Sequence, residues 1–405
     1  MIKRYYLGFF LLALIFSGWA FSGKKSEPAP IGIKLYHFEI QGRTTPVAVW
    51  YPALKADAKP FDYNQQVKGN AYLDAKPDFS QAPYPLIVFS HGMGGCGYQS
   101  VFYVENLVRA GYVVVAMDHK DSAMCTMEGK PKITTGKIIL ATVKGGGDLS
   151  KTVMLLFKDS VSEIDFSYRP KDIKELIDRI LKLNQSDVEL KGIIDPVRIG
   201  LSGHSLGGFT TLAVAGASYD CVAPEKWPQD RCEKAEELLA KKDELKPEEF
   251  DLIQMREMIC CLEQYKGKKV SYGDERVKAV LPLGPAIIFP SGAFDNIKIP
   301  VMVITGSGRF EVPIEPIQKV YEELDGPKYL LELEKVDHMT ITDIAYQILP
   351  ARIFLPGFRT KYKMKKEIYD NFSENFFDAY LKGKNDRLTY IKDAHYPLVK
   401  IQAQP

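Results

Sequence analysis

The chain has no surplus of charge of either sign: 53 basic residues stand against 51 acidic ones, leaving a formal net charge of +2 over 405 residues. Without a long-range field to gather a polyanion, no nucleic-acid partner is expected. Metal chemistry has no sequence basis either. There is no H-E-x-x-H, and the six cysteines do not fall at metal-ligand spacing. Gly129 to Lys137 lacks the spacing and the following Ser or Thr of a phosphate loop, and Gly145-Gly146-Gly147 reads as a hinge. No cofactor is therefore expected. Compositional bias is absent as well: 46% hydrophobic and 26% charged residues exclude a disordered or collagen-like chain. Histidine is scarce, with six in all, so any search for a general base is short.

What is present begins at the N-terminus. Lys3 and Arg4 precede an uncharged run from Tyr5 to Phe21, with Gly18-Trp19-Ala20 supplying small residues near its end. This is the pattern of a secretory signal over residues 1–22, and no cysteine follows it to carry a lipid. The alternative, an uncleaved anchor, needs about 20 apolar residues, and the run is short for that. Export, to a periplasmic or extracellular space, makes disulfides permissible. Cys221, Cys232, Cys260 and Cys261 share one polar insertion that a bridge would restrain, with the pairing left open. Cys96 and Cys125 each follow a strand of the same sheet, as a bridge or as two buried thiols.

Residues 23–405 read as one α/β domain with insertions. Ile31 to Ile40 and Thr45 to Tyr51 form a hairpin signal around Gln41-Gly42-Arg43, followed by a Lys- and Pro-containing surface connection to about Pro83. Apolar runs then alternate with helical patterns. Strands are expected at 85–90, 112–117, 197–202, 279–283, 300–304 and 328–334, and helices at about 100–110, 170–183, 209–216, 314–325 and 362–382. This succession predicts a mostly parallel sheet with helices on both faces. Two insertions interrupt it, near 129–168 and 218–272. The second keeps Leu252, Met255, Met258, Ile259 and Leu262 at helical spacing, and it is expected to form a helical cap.

Gly203-His204-Ser205-Leu206-Gly207 is the one G-x-S-x-G in the chain, with a strand pattern leading in and a helix pattern leading out. That setting is a nucleophile elbow, whose turn is too sharp for a β-carbon beside the serine. A serine hydroxyl needs a base, which should follow a late strand. His338 alone fits. His37, His91, His119 and His204 precede the nucleophile and are assigned structural hydrogen bonds, while His395 is too close to the terminus. An oxyanion needs two backbone donors: the Leu206 amide and, from the glycine-rich loop after an early strand, the Met93 amide. An acid should orient His338. In Gly306-Ser307-Gly308-Arg309-Phe310-Glu311 the only carboxylate is Glu311, with Asp295 a secondary candidate and Asp337 pointing along a different direction.

These stretches carry a resemblance. Val47 to Pro52, Phe89 to Gly94, Met117-Asp118-His119, Arg169-Pro170 to Asp172, Asp195 through Gly208 and Asp274 to Ala279 resemble the dienelactone-hydrolase-like branch of α/β-hydrolases. That branch includes platelet-activating-factor acetylhydrolase-type lipases, and the likeness covers roughly residues 30–385. It implies an α/β-hydrolase fold with Ser205 as nucleophile, His338 as base and the Met93 and Leu206 amides as oxyanion hole. The acid departs from the family pattern. Relatives carry an aspartate where this chain has Arg309, or after the preceding strand, where Leu283-Gly284-Pro285 offers none.

The expected function is hydrolysis of carboxylic esters, possible substrates including short-acyl lipid esters, through an acyl-enzyme on Ser205. The partner is then a small-molecule or lipid ester, with transient membrane contact allowed and the oligomeric state open. Two alternatives remain at this point: a hydrolase-fold binding protein impaired by the missing aspartate, and an acyltransferase whose cap excludes water.

Overall fold

The computed structural model describes residues 28–54, 58–65, 67–146, 166–222, 259–308, 311–343, 358–393 and 396–405, together with Thr152, Leu155, Leu156, Cys232, Glu233 and Glu237. The expected signal segment, Arg309, His395 and most of the expected cap lie outside them.

The backbone of the molecule is a ten-stranded sheet in the order β12-β11-β10-β9-β6-β4-β5-β2-β1-β3. Its centre is parallel: β4 (Tyr84–Ser90), β5 (Val113–Met117), β6 (Ile194–His204), β9 (Val277–Leu283), β10 (Val301–Gly306) and β11 (Lys328–Leu333). On one flank β1 (Ile31–Ile40) and β2 (Arg43–Pro52) make the expected antiparallel hairpin, with β3 (Ala71–Leu73) parallel to β1 at the edge. On the other, β12 (Val399–Gln404) closes the sheet antiparallel to β11.

Period-two alternation explains the two cores. Along β4, Leu86 and Val88 join one buried cluster while Ile87 and Phe89 join the other. All seven β4 residues are buried, as a strand covered on both faces requires. The first cluster is completed by α3 (Tyr168–Ser186), α4 (Leu206–Ala215) and α5 (Ile314–Glu323); the second by α1 (Val101–Arg109), α6 (Phe358–Lys382) and α7 (Asp386–Asp393). A further helix, α2 (Thr135–Lys144), occupies the first insertion.

The connection between β2 and β4 is more than surface loop. It contributes β3, and Tyr63 within it is fully buried, donating to Glu105 and accepting from the Trp50 indole. The lysines and prolines there conceal an aromatic anchor: Phe61, Tyr63 and Tyr98 pack edge to face.

The described ends of the second insertion form a short hairpin, β7 (Ser218–Asp220) with β8 (Lys269–Ser271). Tyr219, Cys221, Cys260 and Tyr265 bury into the main core. Its four cysteines pair as Cys221–Cys260 and Cys232–Cys261, and Cys96 is bridged to Cys125. No described helix is long and apolar enough to cross a membrane.

Candidate active site

β6 runs straight into Ser205, and α4 starts on the next residue. Ser205 itself has φ 56° and ψ −116°, a conformation that L residues rarely hold without support. The support is visible. Its N–H donates to Leu283 O at 2.9 Å, and its carbonyl accepts from Phe209 N at 3.1 Å and Ala286 N at 3.0 Å. The flanking glycines are required by space: a β-carbon on Gly207 would sit 1.9 Å from Ser90 O, and one on Gly203 would sit 2.5 Å from Gly207 O.

The bond from Ser205 to Leu283 brings the serine to the end of β9, and the next residue there is Gly284. A β-carbon on Gly284 would lie 3.2 Å from both Glu311 Oε1 and His338 Nδ1. Those two groups meet at 2.6 Å, with both side chains only 4% exposed. The carboxylate thus accepts a hydrogen bond from His338 Nδ1–H, which makes Nε2 the basic nitrogen of the ring. Asp295 is solvent-exposed, and the Asp337 carboxylate lies against Gly308. Of the three acidic candidates, Glu311 is therefore the one joined to the ring.

His338 opens a short 3-10 turn, His338–Ile341, just past β11. Its carbonyl accepts from His204 Nε2 at 2.9 Å, and the two rings lie 4.5 Å apart between centroids. His204 Nδ1 in turn accepts from the Gln99 amide at 3.0 Å, and Gln99 Oε1 accepts from Gly92 N at 3.0 Å. Burial, and then the neighbouring His338, push the His204 pKa well below its ordinary value. A neutral ring suits a residue that must donate at one nitrogen and accept at the other.

The loop after β4 holds Met93 beside this centre. A β-carbon on Gly92 would lie 3.4 Å from the Ser205 Cβ. Among the described residues, neither the Met93 nor the Leu206 N–H has a hydrogen-bond acceptor. The loop is fastened from outside by Cys96–Cys125 and by Asp118, which accepts from the Gly97 and Met127 amides. The buried histidines bear out their structural assignment: His91 and His119 sit at 0% and 2% exposure with full sets of partners. His37 is exposed and pairs with Glu128.

Sequence reasoning missed the residues that hold the loop, namely Arg169, Asp121 and Gln99. One signal was available for Arg169. It stands on the buried side of α3 with no solvent exposure, where a lone cation needs a reason.

Comparison with known proteins covers part of this site. The family described as "Platelet-activating factor acetylhydrolase, isoform II" matches residues 61–223, which include the Met93 loop and Ser205 but end before Glu311 and His338. The platelet-activating factor acetylhydrolase of Cavia porcellus is 29% identical over 137 residues, 32% of this chain and 31% of its own length. That of Canis lupus familiaris is 30% identical over 149 residues, with the same shares. The match thus spans about a third of these relatives. A ferulic acid esterase from Streptomyces cinnamoneus superposes with a TM-score of 0.55 at 19% identity, covering 94% of this chain and 98% of that one.

Over residues 61–223 the chain is similar to the platelet-activating factor acetylhydrolase family, and its fold is that of an α/β-hydrolase. The two comparisons are complementary. Sequence similarity covers the elbow and the loop beside it, while the esterase shares the fold across the strands that carry Glu311 and His338. The acid side chain beside the histidine in this chain is a glutamate.

Proposed function

We propose that the protein is an exported carboxylic ester hydrolase working through an acyl-enzyme on Ser205. The observation that carries this reading is the 2.6 Å bond between His338 Nδ1 and Glu311 Oε1, at the end of the strand to which Ser205 is hydrogen-bonded. Relatives named as acetylhydrolases support the ester as substrate class, and a short acyl group is the first to test. Three disulfides are consistent with an oxidising compartment.

The steps follow from the residues. His338 Nε2 takes the Ser205 proton as Oγ attacks the ester carbonyl carbon, and the oxyanion forms against the Met93 and Leu206 amides. Glu311 fixes the tautomer and stabilises the imidazolium. Collapse expels the alcohol, which receives the proton from His338. Water, deprotonated by the same histidine, then attacks the acyl carbon and releases the acid. The reading as an impaired binding protein drew on the missing aspartate. A glutamate in contact with the ring weighs against that reading.

The test is labelling with a fluorophosphonate probe and turnover of p-nitrophenyl acetate and butyrate. The expected result is labelling and turnover by wild type and neither by Ser205→Ala. Equal labelling of both proteins would overturn the assignment.

A further inference from the structure

The Met93 amide serves an oxyanion only if the peptide joining Gly92 to Met93 faces the right way. A trans peptide is planar, so its carbonyl and its N–H point in opposite directions, and fixing one fixes the other. Three donors fix the carbonyl. His91 Nδ1 reaches Gly92 O at 2.7 Å, the Gly95 N–H at 3.0 Å and Arg169 Nη2 at 3.2 Å. Arg169 Nη1 also holds the preceding carbonyl, His91 O, at 2.6 Å.

The other side of Met93 is held as well. Arg169 Nη2 pairs with both Asp121 oxygens, at 2.8 and 2.7 Å, and Asp121 Oδ2 accepts from the Gly94 N–H at 3.0 Å. Gly94 O accepts in turn from Ala123 N and Met124 N. Met93 is therefore bracketed by two clamped peptides. The tautomer of His91 is set by its far nitrogen, which accepts from the His119 N–H at 3.0 Å and lies 3.1 Å from Ser122 Oγ. Burial, followed by the Arg169 charge, keeps that ring neutral.

The geometry points to Arg169 and His91 as positioning residues of the oxyanion hole. Together they turn the Gly92–Met93 peptide so that its N–H faces the reacting carbonyl at Ser205. The guanidinium does more than hold. A charge-assisted hydrogen bond to a peptide carbonyl polarises the whole amide, so the Met93 N–H becomes a stronger donor where negative charge develops. The inference rests on the hydrolase reading above, and it assigns a task to a buried cation that the triad does not use.

His91→Leu removes the Nδ1 donor, and His91→Asn restores a donor near the same point without the distal acceptor. Arg169→Met is the third variant; it leaves Asp121 buried without its cation, so the His91 pair keeps the inference testable if that protein does not fold. The measurements are kcat and KM on p-nitrophenyl butyrate, inhibition by a boronic acid that forms an anionic tetrahedral adduct, and melting temperature. Loss of a single oxyanion donor costs about 100- to 1,000-fold in kcat, and misaiming one is expected to cost about 10- to 100-fold. His91→Leu should show that fall with KM within about twofold, and with boronate affinity weakened in proportion. His91→Asn should recover most of the loss. Unchanged kcat in folded His91→Leu overturns the inference, as does a His91→Asn protein as impaired as His91→Leu. Wild type that neither hydrolyses the ester nor labels at Ser205 overturns the hydrolase reading and this inference with it.

Discussion

Glu311 reaches the His338 ring on a longer arm than an aspartate would have. A glutamate carboxylate stands about 1.5 Å farther from its backbone than an aspartate's would, and from this position it meets His338 Nδ1 while Val312 N–H donates to the same oxygen at 2.9 Å. Glu311→Gln is expected to lower kcat/KM by about 100- to 10,000-fold, because an amide can present its NH2 group and favour the wrong tautomer. Glu311→Asp should recover only part, its shorter arm leaving the ring less well held. Steady-state kinetics on folded protein checks both, and unchanged kcat/KM in Glu311→Gln would exclude it as the orienting acid. The legibility of the site follows its locality. Ser205 could be read because its demands are written in adjacent glycines, and His338 because the other histidines were badly placed. Glu311 could be read because its loop has no other carboxylate. Arg169 and Asp121 act on a loop far from them in sequence, and no local pattern records a contact of that kind.

At the level of elements, the strands were legible wherever burial on both faces made them continuously apolar, as in β4, β5 and β10. β12 was not. Its residues alternate between half-buried and exposed, and Lys400, Gln402 and Gln404 give it the look of a polar tail. Tertiary pairing makes it a strand: it runs antiparallel to β11 from Lys328↔Gln404 to Leu333↔Val399. Gln402 also donates to Gln318 of α5 at 2.9 Å. A chain truncated before Val399 would bare the β11 edge, a row of unpaired backbone groups that templates association. Such a protein is expected to melt several degrees lower and to scatter light on heating, while initial kcat per folded molecule stays near wild type. Melting curves followed by light scattering test this, and an unchanged melting temperature would show that β12 adds nothing to the sheet. The connection after β2 was misread for a related reason: its polar composition describes the outer surface, whereas Tyr63 turns inward to Trp50 and Glu105.

For the whole molecule, stability should depend on pH through Asp370 on α6. Burial raises its carboxyl to about 7 against the opposing charges of Lys366 and Arg109, with Asp343 and Glu374 adding to the rise. Among the described residues, its Oδ1 is buried without a hydrogen-bond partner. An unfolded aspartate titrates near 3.8, so between that value and about 7 the folded state holds the extra proton. Stability falls as pH rises through this window. Asp370→Asn is therefore expected to melt higher than wild type at pH 8, with the gap closing toward pH 4. Differential scanning calorimetry across that range measures it, and a gap independent of pH would refute the assignment.

The paired bridges of the second insertion carry a consequence for a protein exposed to proteases. Cys221–Cys260 and Cys232–Cys261 both span the stretch between Cys232 and Cys260. A protease that cuts anywhere in that stretch severs the peptide chain but leaves its two halves covalently joined at two places. Nicked protein should run as one band on a non-reducing gel and as two after thiol treatment. The hairpin β7–β8 and the buried Tyr219 and Tyr265 would stay seated, so a nick between Cys232 and Cys260 would cut the chain without detaching either half.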